Sequence, residues 1–203
     1  MAQDDLDRFA DTGHPSLVAR PHQCTARDAI LAARREGRLG FLLGDLTGLG
    51  KTLSVWAAVA AMPEAEVLIV CPKGGMPQWR RTIALSGLAA KDVTLINYER
   101  TKSLFAPPPA STRRSVRAKN NELAREGQPR RTWPLVVFDE SHRLRNPYAQ
   151  QSTARRRLAE AATFAIYMSA TAGQSPHELF YLGRLLGEAS GCGTEPWPTS
   201  VCS

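Results

Sequence analysis

Three clusters in this chain have the residue types and spacing to act on a phosphate. The first is Gly44-Asp45-Leu46-Thr47-Gly48-Leu49-Gly50-Lys51-Thr52, between the apolar run Leu39 to Leu43 and an Ala-rich helical pattern starting at Lys51. Glycines let backbone N–H groups turn inward around oxyanions, and the following helix aims its positive end at the same charge. In such a loop Gly48, Leu49 and Gly50 line the phosphates of a nucleotide. Lys51 reaches the outer phosphates, and the Thr52 hydroxyl ligates Mg²⁺. A lysine in the first turn of a helix is disfavoured unless an anion sits there, which favours the ligand-binding reading. The strict phosphate-loop pattern has glycine at position 45; here it is Asp45.

The second cluster is Val136-Val137-Phe138-Asp139-Glu140-Ser141-His142, an apolar run ending in two acids and a histidine. At the carboxyl end of a buried parallel strand, Asp139 can hold Mg²⁺, and Glu140 can orient and polarise an attacking water. The third is Ser169-Ala170-Thr171, again closing an apolar run, Phe164 to Met168. Alone that triplet says little; its value lies in its order after the other two.

These clusters need elements to hold them, and the pattern alternates strand and helix as a parallel α/β sheet requires. Strands are expected at 39–43, 66–71, 93–96, in the run before Asp139, and at 163–168. Helices are expected from Thr25, as N-cap, to about Arg38; from Lys51 to Ala61; from Pro77 to near Gly87; from Pro147 to about Ala161; and from Pro176 to Gly187. In doubly wound sheets ligands bind at the carboxyl ends of strands, where all three clusters fall.

The clusters and their order resemble the first RecA-like lobe of a superfamily 2 helicase, most of all the Swi/Snf branch of double-stranded-DNA translocases. Arg20-Pro21-His22-Gln23 resembles the Q motif, which implies that Gln23 reads adenine. Gly44 to Thr52 resembles motif I of that branch, where Asp45 is usual. Val67 to Pro72 with Gln78-Trp79 resembles motif Ia, and Ile96-Asn97-Tyr98-Glu99 the segment after it. Asp139-Glu140-Ser141-His142 resembles motif II of the DEAD/DEAH-box type, with Ser141 where alanine is usual. Ser169-Ala170-Thr171 resembles motif III, where Swi/Snf proteins more often carry Thr-Gly-Thr. Glu178 to Leu182 resembles the helix that follows. The resemblance covers roughly residues 18–187. It implies a three-layer P-loop NTPase domain with a mostly parallel central sheet, using ATP and Mg²⁺. It also implies that His142 couples the nucleotide site to Ser169 and Thr171.

The chain has 203 residues and 43% hydrophobic content, which favours one domain with a sizeable core. No run of 18 apolar residues exists, so no membrane partner is expected. The acidic start Met1 to Asp7 lacks the apolar stretch of a secretory signal, and Cys24, Cys71, Cys192 and Cys202 form no C-x-x-C pair. A reducing, cytoplasmic setting without zinc is expected.

Of the net charge of +7, residues 101–131 carry +6, from eight Lys or Arg and two Glu. That segment also holds Pro107-Pro108-Pro109 and reads as a long basic loop with one short helix near 120–125. It is either a solvated insertion or a duplex-contacting loop, in which case Arg113, Arg114 and Arg117 meet DNA phosphates. Lys73 and Arg80 are further candidates for that contact. Residues 1–17 read as an extension and 188–203 as a loosely held tail. No Gln-x-x-Gly-Arg-x-x-Arg-like run occurs, so the second helicase lobe and its arginine finger are expected on another chain or missing. The expected function is the ATP-binding lobe of a DNA-dependent ATPase. The rivals are a non-catalytic nucleotide- or DNA-binding module, a fragment of a split helicase and, more distantly, a small-molecule kinase.

Overall fold

The computed structural model describes residues 19–46, 48–62, 66–88, 90, 92–105, 129–144, 150–171, 179, 181–183 and 185. Strands β1 (Gly40–Leu43), β2 (Glu66–Cys71), β3 (Asp92–Asn97), β4 (Leu135–Asp139) and β5 (Phe164–Met168) form one sheet in the order β1-β5-β4-β2-β3. Every pairing is parallel, with Gly40 opposite Ala165, Leu135 opposite Phe164 and Val67 opposite Leu135. Helices α1 (Pro21–Arg35), α2 (Lys51–Ala60), α3 (Met76–Leu85) and α4 (Gln150–Glu160) complete the layers. The fold is thus α/β with a parallel sheet between helical layers.

Side-chain alternation divides the strands between two cores. Val67, Ile69, Leu135, Val137, Phe164 and Ile166 pack with Ile30 of α1, Val55 and Trp56 of α2, and Trp79 and Ile83 of α3. Leu68, Val70, Val136, Phe138 and Tyr167 pack on the other face with Tyr98, Phe105, Leu144 and Leu158. A strand buried on both faces has no solvent side to mark with polar residues, so β2, β4 and β5 read as continuous apolar runs. Their sequences are EVLIVC, LVVFD and FAIYM.

Several boundaries differ from expectation. Helix α1 begins at Pro21 rather than after Thr25: Pro21 takes the first helical position, its ring preset for the helix. The Arg20 N–H donates to Gln23 Oε1 at 2.8 Å and the Gln23 N–H to the Arg20 carbonyl at 2.9 Å. Thr25 sits inside the helix, its hydroxyl bonded back to the Pro21 carbonyl. Helix α4 is described from Gln150; Pro147 and the short helix near 120–125 lie outside the described residues, as does most of the helix expected from Pro176 to Gly187, of which only 179, 181–183 and 185 are described.

The basic segment begins later than expected. Residues Tyr98–Leu104 form a 3₁₀ run capped by the Asn97 side chain, which accepts from the Arg100 N–H at 3.0 Å. Thr101 and Phe105 are buried, so this stretch is packed structure and not loop. The segment returns through an antiparallel bridge between Phe105 and Pro129. Arg130 donates to the Phe105 carbonyl, and Arg131 pairs with Glu66 at 2.7 Å and Asp92 at 2.8 Å. Two of the cations counted toward DNA therefore serve the fold.

Gly40 is where the sheet admits no side chain: an added Cβ would run into the Ala165 carbonyl and meet Leu185. Gly40→Ala should cost about 1–3 kcal/mol, since the neighbouring strand's backbone cannot yield as a side chain can. The check is a urea midpoint that falls at unchanged slope. A midpoint equal to wild type would show that β1 can shift away from β5.

Candidate nucleotide and cation site

Because every strand is parallel, the segments 44–50, 72–75, 140–142 and 169–171 all leave the same edge of the sheet. The loop after β1 turns on Gly48 and Gly50, with φ of +86° and +76°. Gly50 is the N-cap of α2 in the left-handed region, where a side chain would be strained. It has no room either, because a Cβ there would collide with the Gln23 amide. Gln23 is buried, and its Nε2 donates to the Leu49 carbonyl at 3.1 Å and more weakly to Gly50 at 3.4 Å. His22 Nε2 lies 3.1 Å from the same Leu49 carbonyl. Helix α1 thus braces the glycine loop from behind. Arg20, His22, Gln23, Gly48, Leu49, Gly50 and Leu53 line a hollow there of about 310 Å³.

Lys51 opens α2 and folds over the loop. Its Nζ donates to the carbonyls of Asp45 at 2.8 Å and Leu46 at 3.1 Å. Those carbonyls offset the poor placing of a cation at a helix's positive end. Thr52 follows in the first turn and is nearly buried. The Asp45 side chain is half-buried, and Thr47 lies outside the described residues.

Asp139 ends β4, between β5 and β2. Burial pushes its carboxyl above the ordinary value of 3.8, opposed by the Trp79 hydrogen bond, reinforced by the Glu140 charge, and opposed again by a Glu140 backbone bond and Lys51. Trp79 Nε1 donates to Asp139 Oδ2 at 2.9 Å, and the Tyr98 hydroxyl donates to the Asp139 carbonyl at 2.6 Å. Cys71, at the end of β2, has its thiol pushed up to about 12, chiefly by burial and then by Asp139, which keeps it protonated and inert.

Glu140 is the one described non-glycine residue with positive φ, at +54°. This conformation costs on the order of 1 kcal/mol and turns the chain sharply out of β4. The turn lets a 3₁₀ segment, Ser141–Leu144, carry His142 back over the edge. His142 Nδ1 lies 3.1 Å from Glu140 Oε2 and 3.3 Å from Ser169 Oγ. Ser169 Oγ in turn accepts the Thr171 N–H at 3.1 Å. One imidazole nitrogen thus touches both the second acid and the third cluster.

The structure therefore gathers Gln23, Gly48, Leu49, Gly50, Lys51, Thr52, Asp139, Glu140, His142, Ser169 and Thr171 along one edge. Lys73 is exposed in the 3₁₀ turn Lys73–Gly75 beyond β2, on that same edge. Arg80 is half-buried with its Nε enclosed and without a partner among the described residues. Arg113, Arg114 and Arg117 lie outside the described residues. Sequence reasoning missed Trp79 and Tyr98 as partners of Asp139. The available signal was chemical: a buried indole or phenol seeks an acceptor, Tyr98 directly follows a strand end, and Trp79 lies in the first turn of the helix after β2.

Residues 16–174 match the family described as type III restriction enzyme, res subunit, and the chain belongs to it. It is 28% identical over 191 residues to the Caenorhabditis elegans "SWI/SNF-related matrix-associated actin-dependent regulator of chromatin subfamily A-like protein 1 homolog", covering 91% of this chain and 26% of that protein. To the Arabidopsis thaliana "Protein CHROMATIN REMODELING 24" it is 24% identical over 159 residues, covering 69% and 14%. The fold is that of the Sulfolobus solfataricus SWI2/SNF2 ATPase core solved in complex with dsDNA, with a TM-score of 0.60 at 19% identity, covering 83% of this chain and 36% of that one. The class is therefore the superfamily 2 helicases, and within it the chain is a RecA-like lobe of the Swi/Snf type. It spans about a quarter of the first of these relatives.

The residues present fit the groups this class implies. The donor set is a hydroxyl and a carboxylate, hard oxygens suited to Mg²⁺. Among the described residues no three His, Cys, Asp or Glu gather as a metal cluster. A cation here would thus share few protein ligands with phosphate oxygens, the manner of Mg²⁺ at nucleotide sites. Among those residues, too, no helix is long and apolar enough to cross a membrane.

The raised carboxyl of Asp139 makes a stability prediction. A group whose folded pKa lies above its unfolded one contributes stability at low pH and loses it as pH rises through the folded value. At neutral pH the ionised Asp139 is therefore a liability to the ligand-free fold. Asp139→Asn keeps an acceptor for Trp79 and removes the charge. It should melt above wild type at pH 7, with the gap narrowing as pH falls. A lower melting temperature at pH 7 would mean that Lys51 and Trp79 outweigh burial.

Proposed function

We propose that this chain is the ATP-binding lobe of a Swi/Snf-like DNA-dependent ATPase, which hydrolyses ATP when a second RecA-like lobe completes the site. The lobe spans 18–187, with the basic insertion narrowed to 106–128 by the packed residues on either side of it, between an extension (1–17) and a tail (188–203). The observation that carries this reading is the convergence of the Gly48–Gly50 loop, Lys51 and the half-buried Asp139 at one sheet edge.

Each residue has a defined task. The loop amides at Gly48, Leu49 and Gly50 bind phosphate oxygens, and Lys51 exchanges its carbonyl partners for the outer phosphates. Thr52 and Asp139 hold Mg²⁺, which when bound neutralises charge on those oxygens. Glu140 orients the attacking water and takes its proton. His142 passes the state of Glu140 to Ser169 and Thr171. Gln23 braces the loop and reads adenine, and Asp45 shapes the loop's turn. Double-stranded DNA is the proposed track, met by Lys73, Arg80, Arg113, Arg114 and Arg117; the dsDNA bound to the Sulfolobus solfataricus core supports this choice.

The second reading is a lobe that binds without turnover. It would hold if no second lobe brings an arginine to the transferred phosphoryl group. Such an arginine is worth roughly three to five orders of magnitude in rate. Titration calorimetry should find weak Mg²⁺–ATP binding that Lys51→Ala abolishes; equal affinity in both would remove the nucleotide assignment. Hydrolysis by the chain alone should be near background. A cognate second lobe should raise it by orders of magnitude, and Glu140→Gln should erase that gain while sparing binding. No rescue with binding intact would favour the non-catalytic module.

Duplex binding should be weak and should fall steeply with salt. Deleting 112–128 while keeping the Pro129–Arg131 anchor should flatten the log–log salt slope by about 1 for each DNA phosphate that the deleted cations neutralise. An unchanged slope would leave the insertion without a DNA role.

A further inference from the structure

Trp79 lies 60 residues before Asp139 in sequence, is fully buried, and spends its one N–H on Asp139 Oδ2 at 2.9 Å. Gly75, a turn earlier, closes on the same oxygen: a Cβ there would stand 3.6 Å from Oδ2. The segment from Pro72 to Trp79 thus walls one side of the carboxylate. The Tyr98 hydroxyl fixes the Asp139 main chain independently, at 2.6 Å. With the backbone pinned and Oδ2 engaged, the carboxylate plane is held in one orientation, and Oδ1 is the less encumbered oxygen for a metal.

Divalent cations differ in what they ask of a carboxylate. Ca²⁺ takes six to eight oxygens and accepts both oxygens of one carboxylate, whereas Mg²⁺ demands near-ideal octahedral geometry and is served by one oxygen at a time. We propose that Trp79 is a positioning residue that sets the cation preference of this site, holding Asp139 Oδ2 so that a single oxygen faces the cation and Mg²⁺ is favoured over Ca²⁺. The inference rests on the nucleotide reading given above. It concerns metal discrimination and needs no turnover.

The test is nucleotide affinity of the whole chain with ADP alone, with Mg²⁺ and with Ca²⁺. Trp79→Phe keeps an aromatic ring and removes the N–H. The ratio of Ca²⁺-supported to Mg²⁺-supported affinity should rise about tenfold or more, the usual scale for losing an outer-shell partner. Metal-free ADP binding should stay as in wild type. Trp133→Phe is the control: it removes another buried indole, whose N–H has no partner among the described residues, and should leave the ratio unmoved. An unchanged ratio in folded Trp79→Phe, with metal-free binding intact, overturns the proposal alone. Loss of nucleotide binding already in wild type overturns the nucleotide reading and this one with it.

If Trp79→Phe does not fold, the wild-type indole proton decides by NMR. A proton protected from exchange, and moved by Asp139→Asn and by Mg²⁺ with ADP, supports the proposal. A proton that exchanges freely or ignores both overturns it.

Discussion

The rest of the structure depends on a carboxylate placed where water is scarce. Asp139 ends the central strand of a sheet whose strands all run one way, so the other strand ends converge beside it. Burial disfavours its charge. It holds its place because groups from both sides of the sheet reach it. Trp79 belongs to the core beneath α1, α2 and α3, and Tyr98 to the opposite core. One bonds the side chain and the other the main chain, so the two packing layers meet at a single residue.

The Tyr98 side of that brace extends further. Arg155 of α4 donates to the Tyr98 carbonyl at 2.8 Å and lies 4.7 Å from its ring centroid, with Arg143 5.9 Å from the same ring. Burial lowers the Arg155 pKa and raises that of Tyr98. A neutral phenol flanked by cations remains a hydrogen-bond donor, which is the role the Asp139 carbonyl requires of it. Helix α4 therefore bears on Asp139 through Tyr98.

Much of this was legible in sequence wherever one physical demand dominates. A strand covered on both faces leaves an unbroken apolar run, so β2 at 66–71 and the ends of β4 and β5 stood out. A loop that surrounds an anion needs glycine, so Gly48 and Gly50 did as well. Legibility failed where two local demands compete. Thr25 is a good cap, but Pro21 with the reciprocal Arg20–Gln23 bonds captures the helix start, moving the cap five residues earlier to Arg20. Residues 98–105 look polar and basic, yet Tyr98, Thr101 and Phe105 bury enough to hold a 3₁₀ run. It also failed where partners are distant in the chain, since no local pattern announces that Trp79 faces Asp139.

Arg131 has a consequence for how this lobe can be altered. It ties the first residues of β2 and β3 together at the edge opposite the glycine loop, beside the bridge from Phe105 to Pro129. An insert placed between these two anchored ends would add mainly closure entropy, about 0.6 kcal/mol for each doubling of a flexible loop. The anchored ends serve as a port. Peptides, tags or whole domains can be grafted there, and the graft would be carried on the far side of the sheet from the glycine loop.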